Sequence, residues 1–294
     1  MSDLSGILLV DKPSGPTSHD LVAEARRSLN IRRVGHAGTL DPFASGLLLL
    51  LLGPSTRLAE YFLSLEKDYI AGAQLGTSTS TDDLEGEVTG RDDGWRELSR
   101  SGVEGALAAF RGSISQVPPS YSAKKVRGQP AHRRVRRGER VELAPVQVEI
   151  HEIQLAEFDP PSVSFSVRCS SGTYIRALAR DLGESLGVGA HLTRLRRRGI
   201  GAFGLDGTLS MEEIRDPERV AGALLTPAAA LSHLPALEVG SREAQRIVQG
   251  QFLPSDEGGV PEGTPVAILR GGELLAVGQR EGNLLKPRKV LARG

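Results

Sequence analysis

Cysteine is almost absent from this chain of 294 residues, which contains only Cys169. A single thiol excludes an internal disulfide framework and any zinc site built from several cysteines, and we expect Cys169 to be a small buried residue. The six histidines show no His-x-x-x-His or Cys/His spacing, so no metal site is expected. The chain also lacks a Gly-x-Gly-x-x-Gly after a strand and a Walker loop, so we expect no nucleotide cofactor.

Long hydrophobic runs are missing as well. The longest, Leu47–Leu52, lies between Gly46 and Gly53 and is far shorter than the roughly 20 apolar residues that span a bilayer. Its length and flanking glycines predict a strand buried on both faces. The apolar run Ile7–Val10 has no basic residues before it, so no signal peptide is expected. We therefore expect a soluble, cytoplasmic protein with no membrane contact.

The chain has no excess of either charge, because 36 basic residues balance 36 acidic ones. This balance excludes a uniformly basic nucleic-acid-binding surface and leaves only local patches. The segment 124–140 has eight Lys or Arg residues against Glu139. It predicts either a contact with a polyanion or a solvated charge run. A second basic cluster spans Arg194 to Arg198, and the acidic segment 81–93 is expected to be a solvated loop.

Short strands alternate with helices without regular βαβ spacing, which favours an α+β fold over a doubly wound sheet. Thr17 and Asp20 have the spacing of a capping box ahead of an amphipathic helix over 18–29. Alternation over Tyr69–Leu75 predicts a strand. Thr173 is expected to cap a helix that runs to about residue 186.

The composition divides the chain into two predicted domains. Residues 1–230 form the larger one, with a basic insertion at about 113–145. The Ala- and Pro-rich stretch 227–235 is the candidate linker. Residues 231–294 are expected to form a small β-rich domain.

The segment Gly35-His36-Ala37-Gly38-Thr39-Leu40-Asp41-Pro42 has two glycines and a proline, which is typical of a loop. Taken alone, an Asp before Pro in such a loop is commonly a turn former. The segment nevertheless resembles the catalytic motif of the TruB family, the bacterial tRNA pseudouridine-55 synthases. Further segments resemble that family in its own order over nearly the whole chain: Val10–Pro13, Lys67–Tyr69, Pro118–Ala123, Ser171–Arg176 and His191–Arg197.

The resemblance implies a fold and a reaction. The fold is a mixed, mostly antiparallel sheet with flanking helices, and residues 231–294, with Leu285–Val290, look more weakly like the small RNA-binding PUA domain. The reaction would convert the T-loop uridine at position 55 of tRNA to pseudouridine after base flipping, without a cofactor. Asp41 would be the carboxylate that cleaves and re-forms the base–ribose bond. Attack at C1′, addition at C6 and abstraction of the 2′ hydrogen all stay open.

The family pattern also assigns roles to other residues. Arg176 would keep the Asp41 carboxylate ionised and oriented. Tyr69 would stack on the uracil, a role favoured over that of a base because a phenol with a pKa near 10 is a poor base at neutral pH. Tyr174 and Leu195 would line the base pocket.

Three further contacts with RNA follow from the same resemblance. His36 would fill the space that the flipped base leaves, and Lys12 would shape and support the cleft. The insertion 113–145 would close over the T arm, its phosphates neutralised by a group of arginines: Arg133, Arg134, Arg136 and Arg137.

Two other functions compete with the enzyme. The chain could be a non-enzymatic protein that binds or folds tRNA, or a guide-dependent RNA pseudouridine synthase that acts with partner proteins. Asp41, Tyr69 and Arg176 argue against an inactive scaffold, and the basic insertion favours recognition of RNA without partners. We expect a monomer that binds the T arm of tRNA.

Overall fold

A computed structural model describes the chain over these ranges: 4–121, 125–126, 129–130, 137, 143–254 and 260–291. Strands alternate with helices along them. The strands are β1 (Gly6–Lys12), β2 (Val34–Ala37), β3 (Ser45–Leu52), β4 (Lys67–Leu75), β5 (Thr77–Thr79), β6 (Val88–Arg91), β7 (Gly112–Gln116), β8 (Lys125–Val126), β9 (Gln129–Pro130), β10 (Val146–Asp159), β11 (Ser162–Cys169), β12 (Ala190–Ile200), β13 (Ala236–Glu238), β14 (Leu253–Pro254), β15 (Pro265–Arg270), β16 (Glu273–Glu281) and β17 (Leu284–Val290).

The helices are short. The α-helices are α1 (Ser18–Ser28), α2 (Ala59–Leu63), α3 (Arg100–Ala108), α4 (Ile175–Ser185), α5 (Pro217–Ala223), α6 (Pro227–Ala230) and α7 (Ser241–Val248). Three 3₁₀ helices lie at Gly53–Leu58, Asp93–Glu97 and Glu213–Arg215. Over the described ranges, no helix is both long and apolar enough to cross a membrane.

The chain divides into two compact units. The first contains residues 1–41, 48–63 and 205–294, and the second contains 42–47 and 64–204. The chain passes from the first to the second directly after Asp41. The predicted division into domains 1–230 and 231–294 stays a prediction.

The first unit contains the predicted leucine strand. β3 lies beside β1 and pairs antiparallel with β2, and its residues Leu48–Leu52 are fully buried. The prediction of a strand covered on both faces is therefore confirmed. α1 packs Leu21 and Ala25 into the same core, and Thr17 forms the predicted capping box with Asp20.

The C-terminal part of the first unit forms a sheet of its own. Its five strands have the order β13-β15-β16-β17-β14. β15 and β16 form the predicted hairpin, whose tight turn places Gly271 and Gly272 at positive φ. α7 contributes Ala244 and Ile247 to a separate apolar cluster with this sheet. A β-rich C-terminal domain is therefore present.

The second unit is built on a mostly antiparallel sheet. β4 lies between β12 and β11, and β10 and β7 continue the sheet beyond β11. β12 also makes a short parallel pairing with the beginning of β3. α4 packs on β12 and α3 packs on β10. Antiparallel strands with flanking helices confirm the predicted α+β class.

Three local predictions need correction. Residues 34–37 form a strand within the predicted loop, because they pair with β3. Thr173 does not cap α4, because its hydroxyl donates to the Ser170 carbonyl at 2.9 Å, and Tyr174 takes the N-cap position. The predicted linker contains α6, which Thr226 caps.

Candidate active site

Asp41 is half-buried and follows β2 in the first unit. The residue before it is fixed to α1: the Leu40 amide donates to the Ser18 hydroxyl at 2.8 Å, and that hydroxyl donates to the Leu40 carbonyl at 3.1 Å. His36 is half-buried on β2, opposite Leu50. These two hydrogen bonds fix the backbone of Leu40, the residue directly before Asp41.

Lys12 is completely buried at the end of β1. Its ammonium donates to the carbonyls of Pro13 at 2.9 Å and Pro16 at 2.7 Å. These bonds close the turn that leads into α1. A buried ammonium that binds backbone carbonyls shapes the loop around it. The supporting role of Lys12 at the substrate cleft stays a prediction.

Tyr69 and Leu195 share one face of the second unit's sheet. Tyr69 lies on β4 with 8% of its surface exposed, and Leu195 on β12 is 7% exposed. Leu195 is opposite Ala71 and is therefore the diagonal neighbour of Tyr69, a separation that a tyrosine ring can bridge. A ring and an apolar side chain on one face can hold a planar base.

Arg176 is the second residue of α4 and is 7% exposed. Its guanidinium donates to Asp83 Oδ2 at 3.1 Å, to the Thr81 carbonyl at 3.1 Å and to the Tyr121 carbonyl at 2.9 Å. Asp83 is 3% exposed and also accepts from the Glu85 amide at 3.0 Å. A buried cation therefore has a buried carboxylate as partner.

Arg180 repeats this arrangement one helical turn further along α4. Its guanidinium pairs with Asp82 at 3.0 Å and with Asp181 at 2.7 Å. Burial raises the pKa of Asp82, while Arg180 lowers it. Residues four apart on a helix share a face, so two arginines of α4 hold two adjacent aspartates of one loop.

This loop corrects the prediction for the acidic segment. Glu85, Glu87, Asp92 and Asp93 are exposed as expected, but Asp83 is buried and Asp82 is partly buried. The charge pattern alone predicts a solvated loop, because the arginines that bind Asp82 and Asp83 lie 93 to 98 residues later in the chain.

Tyr174 is held by Gln116, which the sequence did not single out. The fully buried Gln116 side chain accepts from the Tyr174 amide at 2.9 Å and donates to the Tyr174 carbonyl at 3.1 Å. The Gln116 side-chain amide therefore holds the N-cap residue of α4, which has no side-chain capping bond of its own. Because Tyr174 precedes Arg176 by two residues, these two hydrogen bonds also fix the position of the first turn of α4, which contains Arg176.

Lys67 and Cys169 lie at one end of the same sheet, paired across β4 and β11. Burial, followed by the charge of Arg197, lowers the pKa of Lys67 to about 8. Burial raises the pKa of the Cys169 thiol to about 11. Cys169 is fully buried, as predicted, and a thiol that stays protonated is a poor nucleophile.

Most of the predicted RNA clamp cannot be placed. Arg133, Arg134 and Arg136 lie outside the described residues. Arg137 is exposed and donates to the Gln129 side chain at 2.7 Å. Among the residues that the structure describes, no group of three or more His, Cys, Asp and Glu side chains could hold a metal ion.

The predicted site residues thus fall into two sets. His36, Asp41 and Lys12 belong to the first unit, and Tyr69, Tyr174, Arg176 and Leu195 belong to the second. Asp83 and Gln116 join the second set as residues that sequence reasoning missed. A buried Gln has no sequence signature, and in a chain with 36 basic and 36 acidic residues no local pattern pairs Asp83 with Arg176.

Comparisons with known proteins match nearly the whole chain. Residues 26–175 match the TruB family pseudouridylate synthase (N terminal domain), and residues 176–230 match the tRNA pseudouridylate synthase B C-terminal domain. The chain is 41% identical to tRNA pseudouridine synthase B of Azoarcus sp. (strain BH72), over 98% of this chain and 95% of that protein. It is 43% identical to tRNA pseudouridine synthase B of Thermobifida fusca (strain YX), over 98% of each.

Solved structures of similar fold also match over nearly the whole chain. A Cbf5-Nop10-Gar1 complex matches with a TM-score of 0.76 and 27% identity, over 98% of this chain and 85% of the matched one. An H/ACA RNP bound to a substrate RNA containing 2′-deoxyuridine matches with a TM-score of 0.75 and 25% identity, over the same shares. By its family-model matches over residues 26–230 and by relatives that cover 98% of its length, the chain belongs to the TruB family of pseudouridylate synthases.

Proposed function

We propose that the protein is a tRNA pseudouridine synthase that isomerises the T-loop uridine at position 55. The observation that carries this proposal is the match over 98% of the chain to relatives named tRNA pseudouridine synthase B. That match includes the loop that ends at Asp41. The site residues below are proposed with it.

The reaction breaks the N1–C1′ bond of uridine and forms a C5–C1′ bond. The proton on C5 is lost and N1 gains one, so the product is an isomer and no electrons enter or leave. The enzyme has to stabilise a detached uracil anion and an electron-poor ribose. A single carboxylate can do so as a nucleophile or as a base, and we assign that role to Asp41.

Arg176 is proposed as the residue that keeps Asp41 ionised and oriented during the reaction. Its own setting supports this role, since two backbone carbonyls and Asp83 fix the guanidinium plane.

The target base has to leave the tRNA fold before it can react, at a cost of a few kcal/mol. We propose that Tyr69 stacks on it and that Leu195 and Tyr174 complete an apolar pocket. Tyr69 and Leu195 share one sheet face, which suits a flat ring. His36 is proposed to fill the vacated space in the RNA.

The remaining proposals concern RNA binding, the oligomeric state and the cellular compartment. The insertion 113–145 would bind phosphates of the T arm, and the C-terminal domain would act as a PUA-like RNA-binding domain. Lys12 would support the loop beside the substrate. We propose that the protein acts as a monomer in the cytoplasm.

The test is to incubate the purified chain with unmodified tRNA and to map pseudouridine along the product. We expect one modified position, in the T loop. Asp41→Asn should lower the rate by at least ~10³-fold, because an amide neither attacks nor accepts a proton. It should bind tRNA with unchanged affinity, and the exposed Asp206→Asn serves as the matched control.

The competing functions give different results. A protein that only folds tRNA would leave uridine intact while it binds. A guide-dependent synthase would be inactive on a bare T-arm hairpin and would need added partners. Full activity of Asp41→Asn would contradict the assigned carboxylate without contradicting the reaction.

A further inference from the structure

Arg197 is a buried arginine within the basic cluster 194–198. Only 1% of it is exposed, whereas Arg194 and Arg198 are exposed on the same strand. A guanidinium keeps its charge, so burying one is unfavourable unless hydrogen bonds replace its water. The side chain of Arg197 therefore serves contacts inside the protein and is not available to bind RNA phosphates.

The contacts of Arg197 hold the first residues of β3. Its Nε donates to the Leu47 carbonyl at 2.7 Å. Its backbone pairs in parallel with Gly46, which has a φ of +103°. A Cβ on Gly46 would lie 2.2 Å from the Arg197 carbonyl oxygen, so only glycine permits this approach. One residue thus fixes this segment through both its side chain and its backbone.

The residues that Arg197 contacts, Gly46 and Leu47, follow Asp41 in the chain after a short connection, 42–45. Pro42 and Phe43 form a turn, and the strand begins at Ser45. Phe43 is 9% exposed and Ala44 is fully buried, so this short connection has little freedom. On its other side, Arg197 is paired with Tyr69 across β12 and β4.

We propose that Arg197 is a positioning residue for the isomerisation. By holding Gly46 and Leu47 against β12, it fixes the chain that follows Asp41 and so sets where the carboxylate meets the substrate. The inference rests on the proposed function, through the role given to Asp41. A displacement of about 1 Å at a reacting group can cost about 10²-fold in rate.

The test compares Arg197→Met and Arg197→Lys in the full chain. Single-turnover pseudouridine formation is measured at saturating tRNA, well below the unfolding midpoint of each variant. We expect Arg197→Met to lower the rate constant about 10²-fold, with tRNA affinity within about twofold. Arg197→Lys should recover part of the rate, since it keeps a charged donor without the planar fork.

Hydrogen–deuterium exchange gives a readout independent of activity. Amides of the segment 42–47 should exchange at least about tenfold faster in Arg197→Met than in the parent. Gly46→Ala should cause the same loss of rate and the same faster exchange while the Arg197 charge is kept. Its added Cβ would push the Gly46 backbone away from the Arg197 carbonyl. Arg198→Met is the matched control: Arg198 is exposed and pairs with Asp68 at 2.9 Å, so rate and exchange should stay unchanged.

Several results would overturn the proposal. One is unchanged exchange over 42–47 in Arg197→Met. Another is a lower unfolding midpoint with a normal rate constant for the folded protein, which would indicate a structural role alone. A loss confined to tRNA affinity would be a third. If the parent binds tRNA and forms no pseudouridine, the proposed function fails, while exchange alone still decides whether Arg197 holds the segment.

Discussion

At the scale of single residues, the arginines of this protein differ more than their sequence contexts suggest. Arg176 and Arg197 are buried, and each meets acceptors that a distant part of the chain provides. Arg198 is directly next to Arg197 but faces solvent, because successive strand residues point to opposite faces. A run of arginines is therefore not one surface, and burial shows which of its members faces the interior of the fold.

The partner of Arg176 gives the first prediction at this scale. Asp83→Asn keeps the size of the side chain but removes the negative charge that compensates a buried cation. We expect the rate of pseudouridine formation at saturating tRNA to fall about 10- to 100-fold, by about 1.4–2.7 kcal/mol of activation free energy. Asp82→Asn, whose partner is Arg180, is the matched control and should stay within about threefold. Equal losses in both variants would argue that the loop matters only as a whole.

At the scale of secondary-structure elements, buried polar groups connect segments that are far apart in the sequence. Glu24 on α1 is 6% exposed, and its carboxylate binds Arg27 and Ser28 within the helix. It also accepts from Arg215 Nε at 2.9 Å, which fastens the 3₁₀ helix Glu213–Arg215 to α1. The Arg27 hydrogen bond, helped by Arg215, holds the pKa of Glu24 at about 2.

This carboxylate predicts a pH-dependent stability. A folded pKa of about 2, below the ordinary 4.5, means that the contribution is complete above about pH 4.5 and is lost as the pH falls towards 2. Glu24→Gln should lower the free energy of unfolding at pH 7 by about 1–3 kcal/mol. The difference from the parent should shrink as the pH falls from 4.5 to 2.

Denaturant unfolding at a series of pH values measures this difference. Glu104→Gln is the matched control, since Glu104 forms an exposed pair with Arg100 at 2.8 Å, a kind of pair worth about 0.5 kcal/mol or less. A difference for Glu24→Gln that is constant with pH would show that the carboxylate is not the source of the stability.

At the scale of the whole molecule, a net charge of zero hides a strong local asymmetry. The sequence concentrates basic residues in the segment 124–140 and acidic residues in the segment 81–93. Two of those acidic residues, Asp82 and Asp83, form salt bridges with arginines of α4. Attraction to tRNA thus depends on where charge is concentrated rather than on its sum.

The basic segment gives the last prediction. Replacing Arg133, Arg134, Arg136 and Arg137 together by Gln should weaken tRNA binding and flatten the slope of log Kd against log salt by up to about 3, at about 0.7–0.9 per phosphate contact. The paired substitution Arg96→Gln and Arg100→Gln removes exposed charges that already pair with Asp93 and Glu104, and it should change the slope far less. An unchanged slope in the fourfold variant would refute the clamp.

Local patterns in the sequence were enough to predict the leucine strand, the capping box at Thr17, the alternating strand at Tyr69 and the α+β class. Each depends on neighbours within a few residues, where periodicity and capping act directly. The ordered motifs also pointed to the family, which the full-length matches confirm.

Only the tertiary structure decided which polar groups become buried partners. The sequence predicts a solvated Asp83 and a capping Thr173. It does not show that α4 lies against loop 81–83, that Gln116 holds Tyr174, or that Arg197 faces inward. These contacts join residues 58 to 150 positions apart. Their stability comes from desolvation and geometry that exist only once the sheet has formed.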